Sequence, residues 1–89
     1  MPAVNHNTQL VSASGTVKPF NGVLRGIKLV AGSTVATATA RNAATGATLG
    51  YVNAAANTSA PQYTYDEVFD TSLYISLIGT GAVAIIEYQ

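Results

Sequence analysis

From Thr8 to Tyr88 the chain is written in short stretches that alternate apolar and polar residues with a period of two, separated by Gly, Asn, Pro and Asp. That period belongs to extended strands, whose successive side chains point to opposite faces. Residues 8–14 and 15–20 form a first extended stretch, interrupted by Gly15 and Pro19. Pro19 has no N–H to give a ladder, which places it at an edge or a bend. Asn21-Gly22 has the composition of a type I′ turn and predicts a hairpin opening into a long strand over 22–31. Residues 33–41 alternate strictly, with Val35, Thr37 and Thr39 on one face and Ala36, Ala38 and Ala40 on the other. The alanines would tolerate a helix, but the β-branched threonines disfavour one. A turn at 42–46 and a strand at 47–53 carrying Leu49 and Tyr51 make a second hairpin, and residues 54–61 form the longest loop. A strand over 62–69, then strands over 73–78 and 82–88 flanking Gly79-Thr80-Gly81, complete the chain, the last two as a terminal hairpin. Residues 1–7 are polar and unpatterned and read as a flexible arm, leaving a single domain over 8–89. The expected fold is all-β, a compact antiparallel β-sandwich or jelly-roll-like barrel.

The terminal hairpin is apolar on both faces. Leu73, Ile75 and Leu77 lie on one face of its first strand and Tyr74 and Ile78 on the other; in its second strand Val83 and Ile85 oppose Ala84, Ile86 and Tyr88. A two-layer sandwich covers one face of each strand, so the second needs a further layer, either a crossing segment of the chain or another subunit. With 89 residues little chain is left over, which favours the subunit. Tyr74, Ile78, Ile86 and Tyr88, with Tyr63 and Tyr65 from the aromatic strand, are the candidate interface residues.

Composition sharpens this picture. A chain of this length buries a thin core, and domains of that size are commonly supported by disulfides, metals or oligomerisation. There is no Cys, and His6 is the one imidazole, so disulfides, thiolate chemistry and zinc are set aside and no cofactor is expected. Four basic and four acidic residues cancel, and charged residues are 9% of the chain. Low net charge lowers repulsion between copies, and four dispersed cations make no footprint for a phosphate backbone, so no nucleic-acid partner is expected. No apolar run has the roughly 20 residues of a membrane-spanning helix, and the N-terminus lacks the basic and apolar regions of a secretory signal. The expectation is assembly in a cytoplasm.

Several motifs weigh less than their first appearance. Gly79-Thr80-Gly81-Ala82-Val83-Ala84 matches the glycine pattern of dinucleotide sites, but that site needs a helix after it and an acidic residue about 20 positions on. Asp66, Glu67 and Asp70 have a spacing at which oxygen ligands hold calcium, but a solvated turn is the stronger reading, and no metal site is assigned to them. As paired carboxylates for glycoside hydrolysis they would need an aromatic-lined cleft, and Trp is absent. A Ser/His/Asp assembly would recruit His6 from the arm, where no base is held in productive geometry. Asn57-Thr58-Ser59 has the form of a glycosylation acceptor without a secretory signal, and the Thr37/Thr39 row lacks the repeat of an ice-binding face. The chain is therefore expected to be no enzyme.

The segments Gly22-Val23-Leu24-Arg25-Gly26-Ile27, Ala44-Thr45-Gly46-Ala47-Thr48-Leu49-Gly50 and Asp70-Thr71-Ser72-Leu73-Tyr74-Ile75-Ser76-Leu77-Ile78-Gly79-Thr80-Gly81-Ala82-Val83 together resemble a group of small β-sandwich structural proteins of tailed-phage particles, similar to capsid decoration or cement proteins. The resemblance covers most of the chain after Phe20. It implies a virion protein in a bacteriophage, a homotrimer seated where subunits of a major capsid protein meet, with residues 2–8 as an arm that orders on docking. The rival reading is a receptor- or carbohydrate-binding tip of a phage fibre using Tyr51, Tyr63 and Tyr65.

Overall fold

The structure is a computed structural model that describes residues 7–60 and 63–89, and of residues 63–66 the backbone alone. Its strands are β1 (Asn7–Val11), β2 (Gly15–Lys18), β3 (Gly22–Val30), β4 (Ala36–Asn42), β5 (Thr48–Ala54), β6 (Tyr63–Phe69), β7 (Leu73–Ile78) and β8 (Val83–Tyr88). Every expected extended segment is a strand, with ends that move by at most three residues. Asn7 pairs with Tyr88, so the last residue assigned to the arm belongs to the sheet, as does Thr8 opposite Glu87. The rest of the arm, His6 included, lies outside the described residues.

Two four-stranded antiparallel sheets, ordered β1-β8-β3-β6 and β2-β7-β4-β5, face each other. This is the strand order of a jelly roll, the two-Greek-key form of the β-sandwich. Its logic lies in four nested pairs, β1 with β8, β2 with β7, β3 with β6 and β4 with β5, which make the chain one long hairpin rolled up on itself. The β4–β5 turn is the apex, and the expected hairpin there is present, with Asn42 N–H donating to Ala47 O and Ala43 at a positive φ of 71°.

The other two expected hairpins are corrected. β2 and β3 lie in opposite sheets, so Asn21-Gly22 reverses the chain between layers. Gly22 is required there by close approach: a Cβ on it would run into the Gln89 carbonyl oxygen. β7 and β8 also lie in opposite sheets. Gly79 and Gly81 have φ of 127° and 72°, values open to glycine, and Gly79-Thr80-Gly81 carries the chain from one layer to the other. A strand, as expected, and not a helix follows it.

The layers are unequal. Leu24, Ile27, Leu29, Phe69 and Ile86 fill the inner face of the first sheet and are fully buried. On the second sheet β4 turns Ala36, Ala38 and Ala40 inward at 0% exposure, with Val52, Leu73 and Ile75 beside them. Large side chains on one layer against alanines on the other let the sheets close together, and the Cα envelope measures 37 × 34 × 16 Å. No polar or charged residue among those described is buried.

The connections gather at two ends. At one, Thr80 N–H donates to Thr34 Oγ1 at 2.9 Å and Asn57 N–H to Gly32 O at 2.7 Å. Within the stretch expected as the longest loop, Ala31 N–H donates to Thr58 O and Ala60 N–H to Leu29 O, so residues 58–60 extend the pairing track beside β3. At the opposite end the β4–β5 turn meets the β6–β7 turn through Asn42 and Asp70.

Candidate association surface

The β4 ladders set the outer face of the second sheet. Thr37 stands between Asn53 and Ile78, Thr39 between Tyr51 and Ser76, and Arg41 between Thr48 and Tyr74, which in turn faces Thr16 on β2. Alternation from the buried alanines turns all of these outward. Ile78 is 63% exposed and Tyr51 57%. Val35, 57% exposed, precedes the inward Ala36 and flanks the β7–β8 connection, placing a second aliphatic side chain at the Ile78 end.

The six residues put forward for the interface separate. Tyr74, half-buried, and Ile78 are on this outer face. Ile86 is fully buried, facing inward from the first sheet beside Ile27, and Tyr88 packs half-buried against the same core. Ile86 therefore offers no exposed surface, whereas Tyr88 keeps part of its surface accessible. The cause is the crossover: in a hairpin β7 and β8 would share two faces, whereas in this fold each strand buries one face against the other layer. The side chains of Tyr63 and Tyr65 lie outside the described residues. The doubly apolar pattern therefore splits between two outer faces, Tyr74 and Ile78 on one, Val83 and Ile85 on the other.

That second outer face has its own exposed apolar groups, Leu10 at 65% opposite Ile85 and Val68 at 71% opposite Val23. Phe20, at 69%, stands on the β2–β3 connection. Leu10, Phe20, Val35 and Val68 are not among the six candidate interface residues, although the alternation that places Val11, Ala36 and Phe69 inward, and Val35 opposite the alanines, was already legible.

Asp70 is a structural latch. Its carboxylate accepts from Asn42 Nδ2 at 2.7 Å and Thr71 Oγ1 at 3.1 Å, and Asn42 Oδ1 accepts from Thr71 N–H at 3.0 Å. The Asn42 bond, then that of Thr71, holds its carboxyl below the usual value. Asp66's side chain lies outside the described residues, and among those described no group of three ligating side chains forms. Elsewhere, Ser14 Oγ accepts from Leu77 N–H at 2.8 Å and donates back to its carbonyl at 3.3 Å, extending the β2–β7 ladder by a side chain. A shallow groove of about 250 Å³ lies at that corner, lined by neutral residues from Gln9 to Val17. No family model matches the chain, and no curated protein matches it in sequence.

Proposed function

We propose that this chain is a non-enzymatic structural component of a virion, of the capsid decoration type, which stabilises a particle by associating with itself and with neighbouring coat subunits. The observation that carries the reading is the outward placement of Ile78 and Val35 at one end of the sheet face whose other end carries Tyr74. Covering a Leu, Ile or Val side chain is worth roughly 1.5–3 kcal/mol, large beside the roughly 5–15 kcal/mol that holds a small domain together. The near-zero net charge leaves little repulsion to oppose it. Jelly rolls serve viral capsids and lectins alike, so the fold accommodates the reading without selecting it.

Light scattering coupled to size exclusion, over a wide dilution range, tests it. The expected result is an oligomer whose mass Ile78→Asp lowers while the circular dichroism of the folded chain is kept. A 9.1 kDa species at every concentration, with no binding to coat subunits, overturns it.

The second reading, a glycan-binding fibre tip, is favoured by one feature: Tyr51 stands exposed in the row beside the one that holds Asn53. An aromatic face flanked by amide and hydroxyl groups suits a sugar ring. Binding on a glycan array that Tyr51→Ala removes would bring it to first place.

A further inference from the structure

The two sheets have four edges, and three carry features that discourage strand pairing. β2 has four residues with a register shift, ends in Lys18 and runs into Pro19. β6 carries Asp66-Glu67, and its register with β3 also shifts. β1 is five residues long. Short length, charge, proline and irregular register are the means by which edges avoid one another. β5 reads Thr-Leu-Gly-Tyr-Val-Asn-Ala: seven residues, no charge and no proline. Its one irregularity falls at the Arg41 end, leaving Gly50–Ala54 regularly paired with Ala36–Ala40.

The direction of its backbone groups follows from β4. Asn42 sends its N–H toward the β5 side, to Ala47 O, and Ala43 sends its own toward the β7 side, to Ser72 O. Backbone groups alternate along a strand, so Ala36, Ala38 and Ala40 bond β5, and their partners Ala54, Val52 and Gly50 bond back. Asn53 then directs its N–H and C=O away from β4, at the open edge. Its side chain is exposed.

We propose that β5 is a pairing edge whose occupant is β5 of a second copy, added antiparallel about a twofold axis so that two four-stranded sheets become one of eight strands. This rests on the self-association proposed above and specifies one of its contacts. An extended backbone satisfies outward-facing donors and acceptors such as those of Asn53. Of the edges in a second copy, β6 would bring the exposed Glu67 carboxylate out of water, and β2 would bring Lys18 and, just after it, the missing N–H of Pro19. β1 offers fewer bonds, and a β5–β1 contact is heterologous, repeating head to tail where a twofold pair closes at two copies. β5 against β5 buries no charge, closes on itself and keeps Tyr51 and Asn53 on the outer layer and Val52 on the inner. It leaves the Ile78 face free for another contact, so the dimer is a building unit for a larger assembly.

The experiment follows the Asn53 amide by hydrogen exchange in the wild type from low micromolar to millimolar, alongside scattering mass for Asn53→Pro and Asn53→Lys. Expected is an exchange rate for Asn53 that falls at least about tenfold with concentration, as an amide entering a ladder does. Both variants should run as folded monomers where the wild type is dimeric. Should the proline disturb the fold, the exposed lysine and the wild-type exchange decide. A wild type that associates with a concentration-independent Asn53 rate, and variants that associate equally, overturns the edge while leaving the self-association reading intact. A wild type monomeric throughout overturns both.

Discussion

A methyl group at Gly22 has nowhere to go. It would collide with the Gln89 carbonyl and lie 3.0 Å from the Phe69 ring, and Gln89 is fastened there by two backbone hydrogen bonds with Val23, of 2.9 and 2.8 Å. Gly22→Ala should therefore lower stability by about 1–3 kcal/mol, as overpacking does. Gly15, with nothing within 4 Å of its absent Cβ, is the control. Gly15→Ala should be neutral or stabilising by up to about 1 kcal/mol, because it removes freedom from the unfolded chain. Urea denaturation of both measures the difference. The same assay separates Ile86 from Ile78, two isoleucines that the alternation in an assumed hairpin placed together. At concentrations where the chain is monomeric, Ile86→Ala opens a cavity in the core and should cost about 2–5 kcal/mol, whereas Ile78→Ala, largely in water already, should stay within about 0.5 kcal/mol. Equal losses would mean that the crossover is absent and β7 and β8 pair as a hairpin.

At the scale of elements, the Asn42–Asp70–Thr71 bonds tie the β4–β5 turn to the β6–β7 turn. Asp70's carboxyl is held below its ordinary value of 3.8, so folding favours the ionised form. The stability this contributes is complete above the unfolded value and drains away as pH falls through the lower folded one. Urea midpoints followed from pH 5 to pH 2 should decline for the wild type, and Asn42→Ala should lessen the part of that decline that Asp70 supplies. A wild type and variant that fall in parallel would remove Asp70 from the linkage. The latch also shows what was legible in advance. All the strands and the apex hairpin could be read, because β-branched alternation and turn residues are local. Which strands pair could not: Asn21-Gly22 and Gly79-Thr80-Gly81 say that the chain reverses, and a reversal into the same sheet uses the same residue types as one into the facing sheet. The interface reading inherited that ambiguity, keeping Tyr74 and Ile78 on an outer face and sending Ile86 and Tyr88 inward.

For the molecule as a whole, the nested topology determines how the fold is reached. β4 with β5 is the one pairing closed by a short turn; every other ladder joins residues far apart, up to Asn7 with Tyr88. Each outer pair becomes favourable after loop closure has been met by the pairs inside it, so folding proceeds from the apex against a mounting loss of chain entropy. Refolding from urea, followed by tyrosine fluorescence in a stopped-flow instrument, should therefore take milliseconds to seconds, the range of non-local β-proteins. Substitutions at the apex and at the ends should divide their effects differently. Weakening the β4–β5 pair through Val52→Ala should slow folding, because that pair is formed early. Weakening the terminal β1–β8 pair through Val11→Ala should mainly speed unfolding, because that pair is formed last. The opposite assignment would place the nucleus where the chain ends meet and would make the terminal strands, not the apex, the part of this roll that organises the rest.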